Sequence, residues 1–402
     1  MKLKALLMLL WLPLTALAQT TQKEAVIIDA QTCQPLPYAS IFISRANSTI
    51  TNAEGKFHIF CSPDDVLRTS YVGYKTQQIT ARNLSSKIQL EPITSMLNEV
   101  TIMPLKAYLD KAIKETMRQI GKYHRKKANL FYRQTAYADS TCYEFMEAFL
   151  NGRSAVWLRN LALNKGRFVG IQPDSLDFYS FYANFFILSQ IQVTCIHKSQ
   201  LQGDERYPLI PTYEKNYDVT GEWIGDGDDR LLVVHFTPKP TKLSVIDATL
   251  YFDGQTLRLR KMEGRLLNLT VRHYKYLTGK RRESSLVEAF KNVRDEYINT
   301  DFHFTVTMTE DRGFLEVQSV AIDEQHEFHG RKLHSNSILF NVGDRVIGKG
   351  KKLKKDDNIL IDIGNQEYDP QFWSDNDIVR RTPVEEDVFQ LFESKKLFGV
   401  FK

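Results

Sequence analysis

Nine histidines are the first place to look for chemistry in this chain. A zinc-dependent hydrolase needs imidazoles and a carboxylate converging on one metal, and its local signature is His-x-x-Glu or His-Glu-x-x-His. No histidine here begins His-x-x-Glu. One cluster exists, at His326, His329 and His334. His326-Glu327-Phe328-His329 looks like half a metal site, but its spacing does not put both rings on one helix face. The local reading is a strand end, a turn at Gly330 and solvated histidines. Gly225-Asp226-Gly227-Asp228-Asp229 is acidic, yet it lacks the alternating oxygen ligands and terminal Glu of a calcium loop. A hairpin tip between Trp223 and Leu231 accounts for it. No Gly-x-Ser-x-Gly, P-loop or dinucleotide glycine pattern is present. The 48 acidic residues give too many chance carboxylate pairs to single one out. The expectation is therefore no catalytic residue, no metal ligand and no cofactor.

Four cysteines remain: Cys33, Cys61, Cys142 and Cys195. Cys33–Cys61 with Cys142–Cys195 is the simplest of three pairings, and free buried thiols are the alternative. No Cys-x-x-Cys supports redox or zinc chemistry. The formal charge of +5 is small for this length. Basic knots at His124–Lys127, Lys280–Arg282 and Lys349–Lys355 form no nucleic-acid motif, so no nucleic-acid partner is expected. The last knot reads as a solvated loop.

The N-terminus reads as an export signal. Lys2 and Lys4 precede an apolar run from Ala5 to Leu17, and Ala16-Leu17-Ala18 places cleavage before Gln19. The run is too short for a spanning helix, and no long apolar stretch follows. Export to the periplasm, or to the periplasmic face of the outer membrane, is the expected destination.

The elements that follow change period once. From Ala25 to about Leu90, short alternating segments are separated by turns: Ala25–Ile28, Ala39–Ser44, Phe57 with Ile59, Val66–Tyr71 and Lys87–Leu90. Asn52-Ala53-Glu54-Gly55 is a tight-turn signal, because Gly55 can take positive φ without steric cost. Six or seven such strands make a β-sandwich. The motifs Pro35-Leu36-Pro37-Tyr38-Ala39-Ser40-Ile41, Thr51 with Gly55 and Phe57, and Ser70 with Gly73 and Tyr74 together resemble the carboxypeptidase-regulatory-like module of Bacteroides-type envelope proteins. Leu97-Asn98-Glu99-Val100 resembles the segment that follows it in that family. The resemblance implies a transthyretin-like sandwich acting as an accessory or docking domain, without peptidase activity. Gly55 and Gly73 are then turn residues, and Phe57 and Tyr74 packing residues.

After Pro104 the apolar residues Leu105, Tyr108, Leu109, Ala112, Ile113, Met117 and Ile120 recur with helical spacing, and Gly121 is the expected stop. Alternation then returns. Phe302, Phe304, Val306 and Met308 line one strand face, and Ile246, Ala248, Leu250 and Phe252 another. Asp253-Gly254 is a turn signal, Leu257 and Leu259 lie on the return strand, and Leu267, Leu269 and Val271 form a third. Arg230–Phe236, Phe314–Ile322 and His334–Val342 are further strands. The fold class is thus mainly β with some α: a sandwich followed by an α+β region with a large, curved antiparallel sheet and one packed helix. The layout distantly resembles the half-barrels of lipoprotein carriers. The helix either plugs the concave face or leaves an apolar cavity. The aromatic run Leu176–Ile191 is either a lid or a buried connection. Thr382-Pro383-Val384-Glu385 is a capping box, opening a short helix to Glu393 that carries Val384, Val388, Leu391 and Phe392 on its docking side. Phe372-Trp373-Ser374-Asp375 and this helix resemble the C-terminal segments of envelope proteins with the same module.

The boundaries expected are a signal at 1–18, the sandwich at 19–93, a linker at 94–103, the β-rich region at 104–348 and a C-terminal extension at 349–402. The expected role is non-catalytic: a docking module joined to a body that binds an envelope protein or an apolar ligand. A lipid or lipoprotein carrier, and a hydrolase with an unrecognised site, are the alternatives.

Overall fold

The computed structural model describes residues 20–94, 104–123, 127–154, 158–170, 205–206, 208–242, 244–268, 300–311, 313–328, 331–352, 362–363 and 366–398. The export signal, most of the 94–103 linker, Leu176–Ile191, Cys195, Leu269, Val271 and His329 lie outside the described residues.

The first seven strands are β1 (Thr21–Asp29), β2 (Ser40–Ser44), β3 (Asn47–Ile50), β4 (Lys56–Cys61), β5 (Val66–Ser70), β6 (Gln77–Thr80) and β7 (Lys87–Leu90). They form two sheets, β4-β1-β7 and β3-β2-β5-β6. Ile27, Ile41, Phe57 and Leu67 are fully buried between them. Period-2 alternation puts these residues inward and leaves the intervening ones at the surface. At the Asn52–Gly55 turn, the Asn52 Oδ1 accepts from the backbone N–H groups of Glu54 (2.9 Å) and Lys56 (3.0 Å). Gly55 has φ +72°, and a Cβ there would lie 2.6 Å from the Ile27 carbonyl oxygen. The Tyr74 hydroxyl donates to Asp29 at 2.7 Å. These motif residues thus close the sandwich.

Helix α1 (Leu105–Tyr123) leads into the large sheet: β8 (Lys127–Ala138), β9 (Thr141–Ser154), β10 (Leu158–Gly170), β11 (Glu205–Arg206), β12 (Tyr217–Ile224), β13 (Leu231–Pro238), β14 (Ser244–Asp253), β15 (Leu259–Leu267), β16 (Thr300–Asp311), β17 (Phe314–Phe328), β18 (Arg331–Asn341) and β19 (Lys351–Lys352). Strand order is β12-β13-β14-β15-β16-β17-β18-β8-β9-β10-β19, with β11 beside β14. Pairing is antiparallel throughout apart from β11 with β14. Eleven strands in a row would span roughly 50 Å if flat, whereas a helix is about 10 Å across. The sheet must curl for its inner face to share a core with α1. It does so: Leu109, Ala112 and Ile113 of α1 join one apolar cluster with inner-face residues of β8, β9 and β12 to β18. Tyr132, Leu150, Phe236, Phe252, Phe302 and Leu339 on that face are all 0 % exposed.

The outer face carries the sandwich and the C-terminal helices α2 (Pro370–Asp375) and α3 (Pro383–Ser394). Phe131, Phe149, Ile338 and Phe340 of the sheet pack with Ile50 of the sandwich and with Trp373, Ile378 and Val379. Phe145 and Val169 pack with Phe389, Phe392 and Phe398. Polar contacts fix the sandwich in place: Arg45 to Asp344 at 2.7 Å, the Gln318 amide donating to Ser40 at 2.6 Å, and His58 to the Asp377 carbonyl at 2.9 Å.

Several expectations need correction. Helix α1 runs past Gly121 to Tyr123, since one glycine near an end costs only about 1 kcal/mol. Leu267 is the last residue of β15, the return strand itself. At Gly264, within that strand, β14 approaches so closely that a Cβ would sit 2.1 Å from the Asp247 carbonyl oxygen. On α3, Phe392 and Val388 of the expected docking side pack on the sheet and Phe389 joins them, whereas Val384 and Leu391 face outward, 57 % and 47 % exposed. Lys351 and Lys352 form a short edge strand on β10, with both side chains exposed. Cys33 and Cys61 are unbonded. Cys61 points into the sandwich core while Cys33 sits in an exposed turn, so their side chains do not face each other. Cys142 is also a thiol, and burial pushes its pKa up to about 12.

Candidate binding cleft on the outer face

Three parts of the chain meet at one cleft of about 480 Å³: the Asn52–Glu54 turn, the outer face of β8 and β18, and the start of α3. Antiparallel register sets Tyr137 opposite His334 and Arg133 opposite Ile338, all on the outer face. The Tyr137 and His334 rings stack at 6.0 Å and 27°. Tyr38, Val379 and Val384 complete the apolar lining, and Glu54, Asp139 and Glu385 are its acidic members.

The floor of this region is a buried ion network. The Arg133 Nε donates to Glu147 Oε1 at 2.6 Å, and the Arg167 Nε donates to Glu147 Oε2 at 2.7 Å. Arg381 lies 3.8 Å from the same carboxylate. Burial pushes the Glu147 carboxyl up, but Arg167, Arg133 and Arg381 outweigh it and hold the pKa down to about 2. The Arg133 guanidinium also donates to the Val379 carbonyl at 2.7 Å. Arg167 lies over Trp373 and Phe389, at 4.3 and 4.4 Å from the ring centroids. Strands β8, β9 and β10 therefore hold the C-terminal segment through charge, backbone acceptors and aromatic faces together.

The start of α3 is not a vacant anion site. The Thr382 hydroxyl accepts from the Glu385 N–H at 3.3 Å, and Glu385 accepts from the Thr382 N–H at 2.8 Å. This is the capping box expected from sequence.

Of the histidine cluster, His334 is the member whose side chain is described. Its Nε2 is 2.9 Å from Asp323 Oδ2. That hydrogen bond is the main cause raising the His334 pKa, and an Asn336 contact adds to it. Burial pushes Asp323 up, but its bond to His334 prevails and its pKa is lowered. A carboxylate beside an imidazole is two-thirds of a nucleophilic triad, which also needs a hydroxyl or thiol on the imidazole. The ring's partners here are a carboxylate and an amide. Among the described residues no group of three or more His, Cys, Asp or Glu is arranged to hold a metal. Gly227–Asp229 forms a short turn between β12 and β13, the hairpin tip expected.

A second, polar cleft of about 260 Å³ lies between the sandwich and the outer face of β14 to β18. Lys261 lies at its wall, 2.7 Å from Glu263 and 3.3 Å from the Tyr71 hydroxyl. On the inner face, the Tyr132 hydroxyl donates to Gln134 at 2.5 Å, and the Gln134 amide donates to Glu144. Burial pushes the Glu144 pKa up to about 7.

Sequence reading singled out His334 and the capping box, but not Arg133, Glu147, Arg167, Arg381 or Tyr137. A signal was present. Arg133 and Glu147 sit between Phe131, Phe145 and Phe149 in strands that are apolar on both faces, where a charge must be paired.

Residues 25–102 match the model of the CarboxypepD_reg-like domain family, so the sandwich is a domain of that kind. No curated protein matches the sequence. Solved structures similar to the chain include the LolA superfamily protein NE2245 from Nitrosomonas europaea, with 9 % identity, 60 % of this chain and 94 % of that one covered, and a TM-score of 0.20. A DUF1329 family protein from Desulfovibrio piger has 11 % identity, 59 % and 93 % coverage, and a TM-score of 0.24. A Pseudomonas aeruginosa MucA/MucB complex has 10 % identity, 62 % and 99 % coverage, and a TM-score of 0.17. Scores this low carry no argument about fold or function. Among the described residues no helix is long and apolar enough to cross a membrane.

Proposed function

We propose that this chain is a non-catalytic, exported binding protein of the cell envelope. Its sandwich is an accessory module fixed to the outer face of the sheet, and a polypeptide partner occupies the outer cleft. Export rests on the basic start, apolar run and Ala16-Leu17-Ala18 site alone. The observation that carries the binding mode is the state of the inner face. Tyr132, Leu150, Phe236, Phe252, Phe302 and Leu339 have 0 % exposure, so no water-sized void touches them. An acyl carrier needs open apolar space there; a filled interior leaves the outer surface as the place for recognition. Among the described residues, the partners at the His334 ring are the Asp323 carboxylate and Asn336, and neither supplies a hydroxyl or thiol nucleophile.

Native mass spectrometry of the exported protein tests this reading. The expected mass is that of the polypeptide from Gln19 onward with no adduct. A retained acyl lipid overturns the reading in favour of a lipid or lipoprotein carrier.

A further inference from the structure

We propose that the outward flank of α3 and the adjoining cleft dock an amphipathic polypeptide segment that carries Lys or Arg beside its apolar anchors. This rests on the partner-binding reading above and names the surface and the partner's chemistry. Five large apolar side chains are strongly exposed among the described residues, and two of them, Val384 and Leu391, lie on this twelve-residue helix. With the half-buried Val388 they follow an i, i+4, i+7 pattern, an apolar stripe about 10 Å long at 1.5 Å per residue. The opposite face already packs on the sheet through Phe389 and Phe392. Val388 packs partly against the same cluster, so the outward apolar flank consists of Val384 and Leu391. Val384 belongs to that stripe and also lines the 480 Å³ cleft with Tyr137 and Ile338, so stripe and cleft are continuous. Val384 is also the second helical residue, after Thr382 and Pro383. An acidic residue would suit the helix better at that position, and a β-branched one has weak helix propensity. The helix itself gives no reason for valine there.

Charge selects the occupant. Residues 383–394 contain Glu385, Glu386, Asp387 and Glu393 and no Lys or Arg. Of these, Glu386 pairs with Arg381 at 2.5 Å and Glu385 lies 3.9 Å from Arg133, which leaves Asp387 and Glu393 to face a partner. The cleft adds Asp139 and a Glu54 that pairs with Lys56. Its basic members have their own counter-ions, Arg133 with Glu147 and His334 with Asp323, while Lys56 pairs with Glu54. Lys395 and Lys396 come only after the helix has ended. An acidic rim repels anionic lipid headgroups, and it repels a second copy of itself across a two-fold axis. A helix with apolar anchors flanked by cationic side chains matches both the stripe and the rim.

The test uses the full chain and two labelled synthetic helices, one of leucine and lysine and one of leucine and glutamate, read by fluorescence anisotropy. The leucine–lysine peptide should bind and the leucine–glutamate peptide should not. Val384→Asp should weaken binding at least about tenfold, as expected for losing a central anchor, although it adds attractive negative charge. Its unfolding midpoint should not fall, because Asp suits the first helical turn. Leu391→Ser, which leaves the charge unchanged, should weaken binding in the same direction. Equal affinity in Val384→Asp, equal binding of the acidic peptide, or capture of phosphatidylcholine vesicles through the same residues overturns the proposal. A retained lipid in native mass spectrometry would instead sink the binding reading beneath it.

Discussion

Glu147→Gln removes the one anion shared by the Arg133 and Arg167 guanidiniums, in a site 1 % exposed on the carboxylate side. The native carboxyl titrates near 2 against an ordinary 4.5. At about 1.4 kcal/mol per pH unit, that gap is worth ~3 kcal/mol to the folded state. The folded pKa is depressed, so this stability is present above pH 4.5 and is lost as pH falls toward 2. The variant also leaves the buried Arg167 guanidinium without its counter-ion and Arg133 with Asp377 and Glu385 only at 3.9 Å, and breaking a buried pair this way costs roughly 3–5 kcal/mol. Urea unfolding at pH 7 should therefore show Glu147→Gln destabilised by about 3–5 kcal/mol relative to wild type. The difference should shrink as the titration is repeated toward pH 3. Because the network holds residues 377–386 to the sheet, proteolysis within the C-terminal segment should speed up in the variant. A variant within about 0.5 kcal/mol of wild type at pH 7, the range of ordinary surface changes, would refute the network's role. So would a difference that does not narrow in acid.

Glu144, three residues earlier on β9 and facing the opposite side, should behave in the opposite sense. Its pKa of about 7 is raised by burial, so its contribution is greatest below pH 4.5 and is lost as pH rises to about 7. Glu144→Gln should flatten that loss and stabilise the chain at pH 8 by up to ~3 kcal/mol, measured by denaturant titration across pH. Phe389→Ala removes a buried ring from the α3 interface and should cost about 3–5 kcal/mol in the same assay. Gly264→Ala should cost on the order of 1–3 kcal/mol, since its methyl would collide with the Asp247 carbonyl. Reductant should leave the thermal midpoint unchanged if the Cys33 and Cys61 thiols are unbonded, and Ellman titration of the unfolded protein should count both.

Much of the framework was legible because it rests on local chemistry. The Asn52–Gly55 turn, the Phe302–Met308 alternation and the Thr382 capping box each depend on a few neighbouring residues. What stayed hidden depends on contacts across many residues. Helical spacing in α3 put Val384, Val388, Leu391 and Phe392 on one side, and only the position of Phe145 and Val169 on distant strands decides that Phe389 turns inward with Phe392. The Arg133–Glu147–Arg167 network joins three strands and a C-terminal arm, and no local spacing encodes it. The close approach of β14 to Gly264 likewise exists only once the two strands are paired.

Inner-face residues with no exposure predict an interior that holds no acyl chain. Native mass spectrometry of protein purified gently from its own compartment should give the bare mature polypeptide. A stoichiometric acyl-chain adduct released only on unfolding would contradict it.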